Sequence, residues 1–149
     1  MLFRKAKAAF AFFLATALAG LGGCASTGPA PTAGKQRIVL QVSDDNIKTW
    51  NQSLNVAGNL QQAYGKGKVE IELVAFGTGI NMLRAEALVA NRVQEAMGSG
   101  IVDVVYACEN SMERQKLKKD DMASKITYVD AGVMHMIKRQ REGWFLLRP

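Results

Sequence analysis

The chain has 149 residues, 48% of them hydrophobic and 21% charged. That balance is globular and excludes a disordered chain, and the length suits one domain of ordinary size. The formal charge of +6 falls to +3 without Arg4, Lys5 and Lys7 at the extreme N-terminus; with no basic patch interleaved with aromatics, a nucleic-acid partner is set aside.

The N-terminus reads as a signal peptide. Arg4, Lys5 and Lys7 form its positive region, Ala8–Leu21 is an uncharged and mostly apolar run of 14 residues, and Gly22 and Gly23 precede Cys24. A spanning helix needs roughly 18–20 apolar residues, so the run suits export better than a permanent membrane span. Leu21-Gly22-Gly23-Cys24 resembles a bacterial lipobox. That resemblance implies residues 1–23 as a cleaved signal, acylation of the Cys24 thiol, and membrane attachment through acyl chains alone. The alternative is an ordinary signal peptide with an incidental cysteine. Ala25, where an Asp is absent, resembles the pattern of an outer-membrane destination. The expectation is therefore a periplasmic, lipid-anchored protein. Residues 24–34 continue as ASTGPAPTAG after the cysteine, a composition without apolar periodicity that reads as a flexible tether. Residues 35–149 are left as the folded domain.

Within that domain, Gln36–Val42 is rich in β-branched residues and predicts strand one. Ser43-Asp44-Asp45-Asn46 are helix-capping types. From Ile47 the spacing turns helical, with Ile47, Trp50, Leu54, Ala57 and Tyr64 on one face, until Gly65-Lys66-Gly67. Val69–Phe76 predicts strand two, with Glu70 and Glu72 on the side opposite Val69, Ile71 and Leu73. Gly77-Thr78-Gly79 predicts a loop. A helix is expected from Met82 or Ala85 to Met97, closed by Gly98-Ser99-Gly100. Ile101–Cys108 predicts strand three and Ser111–Leu117 a short helix. Asp120-Asp121-Met122 suggests a turn or cap, and Ile126–Val129 a short fourth strand. Asp130 is the expected cap of a helix to Glu142 that turns Val133, Met134 and Ile137 inward. Gly143 ends it, and Trp144–Leu147 is the last strand. Short apolar strands alternating with helices imply a mostly parallel sheet with helices on both faces. Such a sheet carries its chemistry at the carboxyl ends of its strands.

Cys108 ends strand three and precedes Glu109-Asn110-Ser111. Asn110 with Glu113 fits a capping box, and Ser111 is the alternative cap. Either places the sulfur near a helix N-terminus, where peptide N–H groups favour an anionic thiolate, although Glu109 and Glu113 oppose it. The other reading is a small buried hydrophobe. If Cys24 is acylated, Cys108 has no partner for an intramolecular disulfide, which suits a reactive thiol or an intermolecular bond. Asp44, Asp45, Gly77, Thr78 and Gly79 fall at neighbouring strand ends and would line the same rim with Asn110 and Ser111. Their ordinary roles would be caps and turns.

The segments IVLQVSDDNIKTWNQSLNVAGNLQQAYG, VEIELVAFGTGINML, YACENSM and YVDAGVMHMIKRQREGWFLLRP resemble the DsrE/DsrF-like family of small sulfur-relay domains, in an exported branch. The run Cys108–Met112 and the ending Gly143-Trp144 through Arg148-Pro149 carry most of the likeness. The resemblance implies a three-layer α/β/α domain, flavodoxin-like in layout, with a five-stranded sheet ordered 4-3-2-1-5 and assembly as a trimer or hexamer. It implies a persulfide on the cysteine after a central strand, a role that falls on Cys108, with thiol or persulfide proteins as donor and acceptor. A cytoplasmic relay is the family's setting, and a lipid anchor departs from it.

Other chemistry finds little footing. Met134-His135-Met136 are consecutive helical residues about 100° apart and cannot converge on one ion, so Met134 is expected in the core and His135 outside. No Gly-x-Ser-x-Gly elbow, phosphate-binding glycine motif or paired zinc cysteines occur; no metal or cofactor is expected. Lys116, Lys118 and Lys119 with Asp120 and Asp121 read as a solvated face. Two functions remain: a thiol-based sulfur carrier using Cys108, or a non-catalytic envelope binding module in which Cys108 is structural.

Overall fold

The computed structural model describes residues 34–149; the expected signal peptide, Cys24 and all of the tether except Gly34 lie outside the described residues. Strands β1 (Gln36–Val42), β2 (Val69–Ala75), β3 (Val104–Cys108), β4 (Thr127–Val129) and β5 (Phe145–Leu147) form one sheet in the order β4-β3-β2-β1-β5. Every pairing is parallel. With helices on both faces this is a three-layer α/β/α domain of flavodoxin-like layout, in the strand order that the resemblance implied.

Helix α1 (Ile47–Tyr64) starts at Asn46, whose side chain accepts the Lys48 N–H at 2.9 Å. It buries Trp50, Leu54 and Ala57 and packs with Val93 and Ala96 of α2 (Ala90–Gly98) over Ile38, Leu40, Val42, Ile71, Leu73, Ala75, Val105 and Ala107. Full burial of side chains the size of Leu40 or Ile71 contributes about 1.5–3 kcal/mol each, so this face holds most of the apolar stabilisation. The connection from β4 to β5 runs from one edge of the sheet to the other, opposite in direction to the earlier crossovers. A right-handed crossover then places its helix, α4 (Gly132–Arg141), on the second face. There Met136 and Trp144 pack on Val39 and Val74, flanked by Phe76, Tyr106 and Leu146.

Three elements differ from the sequence expectation for identifiable reasons. The helix expected from Met82 or Ala85 is instead a 3₁₀ segment, Gly77–Leu83, followed by turns before α2. Backbone groups that a helix would use are taken by a distant loop: Ala85 N–H donates to Asp121 O at 2.9 Å, Ala123 N–H donates to Leu83 O at 2.8 Å, and Arg84 bridges Met122. Strand β3 begins at Val104, not Ile101, because the Ile101 and Val102 N–H groups close the end of α2 on Ala96 O at 2.9 and 3.0 Å. Asp103 then turns its carboxylate to accept the Ile71 N–H at 2.8 Å. The short helix α3 is Glu109–Arg114, starting two residues and ending three residues earlier than Ser111–Leu117, and its N-cap residue is Cys108. Asn110 and Ser111 therefore lie inside its first turn.

Gly79 passes under the end of β1, where a Cβ would lie 2.5 Å from the Val42 carbonyl oxygen. Gly58, in the middle of α1, has open space around the same position. Gly79→Ala should lower stability by about 1–3 kcal/mol, while Gly58→Ala should raise it by about 0.5–1 kcal/mol. Urea unfolding of the two variants checks both signs.

Candidate functional site

The carboxyl ends of β2, β3 and β4 each run into a helical turn, and the three turns surround a cavity of about 460 Å³. Phe76, Gly77 and Thr78 enter it from the end of β2. Cys108, Asn110, Ser111, Arg114 and Gln115 enter from the end of β3 and α3, and Ala131, Gly132 and Val133 from the start of α4. In the register Tyr106 lies beside Val74, so the alternation of β3 turns Tyr106 and Cys108 toward the α4 face. Gly132 sits against the cysteine: a Cβ there would be 3.3 Å from Cys108 Cβ and 3.2 Å from both Phe76 Cβ and Val74 Cγ1. Only a residue without a side chain lets α4 start this close to the sulfur.

Cys108 is 5% exposed, has no disulfide partner among the described residues, and forms part of the cavity wall. Its Sγ–H donates to Asp130 O at 3.8 Å, a carbonyl that also accepts the Asn110 N–H at 3.1 Å. Ser111 Oγ accepts the Gly77 N–H at 2.8 Å, and Gln115 Nε2 donates to Gly77 O at 2.7 Å. Gly77, at φ +57, is thus tied to α3 through both of its backbone groups in a conformation that favours glycine. The sulfur lies at the N-cap of α3 and beside the first turn of α4, which contains no acidic residue. Glu109, the acid in the first turn of α3, pairs with Lys119 at 3.0 Å. Unsatisfied N–H groups at helix starts favour negative charge, and Arg114 adds a cation at the rim.

Of the sequence candidates, the structure brings together Cys108, Asn110, Ser111, Gly77 and Thr78. Asp44 and Gly79 do not line the cavity. The Asp44 carbonyl receives the Trp50 indole N–H at 2.8 Å, and Gly79 is packed beneath Val42. Asp45 instead accepts from Asn81 at 3.1 Å. Sequence reasoning missed Arg114, although its i+3 and i+4 spacing from Ser111 and Asn110 puts it on their side of one helical turn. Among the described residues, no group of three or more His, Cys, Asp and Glu side chains is placed to hold a metal ion.

The largest departure from the sequence expectation is in α4. Val133 is 48% and Met134 61% exposed, and Ile137 is half-buried. The helix turns Gly132, His135, Met136 and Arg139 to the sheet instead, with Ala131 and not Asp130 at its N-cap. The cause is Glu72 on β2, expected on a polar side and found 2% exposed. Arg139 grips its carboxylate with Nε to Oε2 at 2.8 Å and Nη2 to Oε1 at 2.7 Å. His135 Nε2 lies 3.0 Å from Oε2, and the Tyr106 hydroxyl donates to Oε1 at 3.4 Å. Arg139 also bonds Glu142 at 2.8 Å and lies 5.0 Å from the Trp144 ring centroid. The His135 and Tyr106 rings are 4.2 Å apart. The bond to Glu72 raises the Arg139 pKa above its ordinary value, and the bond from Arg139 lowers that of Glu142.

The fold and this site define a small doubly wound α/β domain with a cysteine in the pocket at its carboxyl edge. A solved structure of MTH1491 from Methanobacterium thermoautotrophicum, a protein of unknown function, superposes with a TM-score of 0.72 and 30% identity, over 77% of this chain and 100% of that one. The chain belongs to the same family as MTH1491. No family model matches it, and neither does any curated protein.

Glu72→Gln leaves Arg139 without its buried partner and should cost about 3–5 kcal/mol in urea unfolding. Burial, and then the Glu72 charge, raise the Tyr106 pKa above its ordinary 10.0. The folded state then keeps this proton to higher pH than the unfolded chain. The contribution is intact below pH 10 and is lost as pH climbs through the folded value. In Tyr106→Phe the decline of stability above about pH 10 should be shallower, as measured by unfolding at stepped pH.

Proposed function

We propose that this protein is a thiol-based sulfur carrier that holds a persulfide on Cys108. The observation that supports it most is the position of that sulfur, in the wall of an open cavity where α3 and α4 both begin. In the first step the Cys108 thiolate attacks the outer sulfur of a donor persulfide. The donor S–S bond breaks, its thiolate leaves, and Cys108–S–SH remains; an acceptor nucleophile later takes the outer sulfur. The Asp130 carbonyl holds the thiol proton at rest. Once the proton leaves, that oxygen repels the sulfur, and the N–H groups opening α4 become the better neighbours. A thiol protein would be the acceptor, and a persulfide, borne on a protein or on a small molecule, the donor.

The setting we propose is the periplasm, with a lipid on Cys24 and the outer membrane as the favoured anchor, supported by the lipobox-like run Leu21–Cys24. No helix among the described residues is long and apolar enough to cross a membrane. A homo-oligomer, trimeric or hexameric, is supported by Phe145 and Leu147, which the edge strand β5 leaves uncovered. A second reading, an envelope binding module with a structural Cys108, is favoured by the burial of that residue and its bond to Asp130 O.

The test is mass spectrometry of the domain without Cys24 after exposure to inorganic polysulfide. The carrier reading expects one added sulfur on Cys108, absent in Cys108→Ser and passed on to an acceptor thiol. No adduct on the wild-type cysteine would leave the binding module as the function.

A further inference from the structure

The cavity has a charge pattern that the carrier role alone does not require. Among the described residues that line it, Arg114 is the one that is formally charged. Its side chain is exposed and has no ion-pair or hydrogen-bond partner among the described residues. Arg37, Arg84, Arg92 and Arg139 each engage a protein group, and Arg141 and Arg148, which like Arg114 have no such partner among the described residues, do not line the cavity. Phe76, Ala131 and Val133 make much of the remaining wall apolar. The cavity is therefore apolar inside, has a thiol in its wall, and carries one guanidinium that is unpaired among the described residues.

Size and burial narrow the visitor further. A volume of about 460 Å³ lies within the range of roughly 300–1,000 Å³ typical of small-molecule sites. Cys108 is 5% exposed, which disfavours a cysteine held flat on the surface of a folded donor. A guanidinium fork matches a carboxylate in two parallel hydrogen bonds. Arg114 is six residues beyond Cys108 in the chain, on the helix that the cysteine caps. An anion held by Arg114 therefore stays within one short molecule's length of the sulfur.

We propose, resting on the sulfur-carrier reading, that the sulfur donor is a low-molecular-mass persulfide bearing a carboxylate, and that Arg114 determines that preference. The donor's carboxylate sits on the guanidinium and its outer sulfur meets Cys108. The S–S bond of R–S–SH breaks and a new S–S bond forms on Cys108. Cys108–SH and R–S–SH thus become Cys108–S–SH and R–SH, the cysteine proton passing to the departing thiolate through solvent. Sulfane sulfur moves without a net oxidant or reductant.

The test uses the domain of residues 34–149, since the related MTH1491 chain is aligned over its whole length to a region of this size and stands as a structure by itself. Cys108 persulfide formation is followed by intact mass, with glutathione persulfide as the anionic donor and its diethyl ester as the donor without carboxylates. Wild type should react faster with the anionic donor. Arg114→Gln should slow that donor about tenfold, the loss of one charge-assisted contact, and leave the ester rate unchanged. Arg114→Lys should restore part of the difference. Equal slowing of both donors, or of neither, overturns the Arg114 assignment while the carrier reading stands. Failure of both donors to place sulfur on wild-type Cys108 overturns the two together.

Discussion

Glu72 lies on β2 between Val39 of β1 and Val104 of β3, near the centre of the sheet, where water does not reach it. An ionised carboxylate there is tolerable only if its oxygens are fully engaged by charged and polar partners. α4 supplies them from two adjacent turns, His135 and Arg139, and β3 supplies the Tyr106 hydroxyl. Because an arginine fork meets a carboxylate in one geometry, the contact sets both the rotation and the axial position of α4 on the sheet. Few apolar contacts share that task, since Met136, Trp144, Val39 and Val74 are the buried residues of the apolar cluster on this face.

The position of α4 is what makes the cavity. With Arg139 on Glu72, the helix begins at Gly132 directly over Cys108, and its first turn becomes one wall. The facing wall is built differently. Gly77 is bonded to Ser111 and Gln115, so the segment after β2 and helix α3 move as one piece. The parallel sheet brings the two walls together because all of its strands end at the same edge. Cys108 is shared by both, as the last residue of β3, the cap of α3 and the floor beneath α4. A thiol in that position is shielded from random chemistry, yet borders a cavity large enough for a small molecule.

Much of this could be read from the amino-acid order, and the failures have physical causes. The strands stood out because parallel strands buried on both faces are short runs of Val, Ile, Leu and Ala. Cys108, Asn110, Ser111, Gly77 and Thr78 were legible as a group because strand ends in such a sheet converge. The inward face of α4 was not. Hydropathy selects Val133 and Met134, but the sheet-facing stripe is Gly132, His135, Met136 and Arg139, chosen by a buried carboxylate on another element. The turns at residues 84–89 escaped for a similar reason: their backbone partners, Asp121 and Met122, are distant in sequence. Arg114 was overlooked because a lone cation on a short helix looks like solvated surface until the cavity beside it is known.

A sulfur carrier of this design requires that sulfur can reside on Cys108 inside this cavity. The most direct measurement is a crystal structure of the domain after treatment with polysulfide. It should show one additional atom bonded to Cys108 Sγ, turned away from the Asp130 carbonyl and toward the first turn of α4. An unmodified thiol still donating to Asp130 O, in crystals exposed to excess reagent, would contradict it.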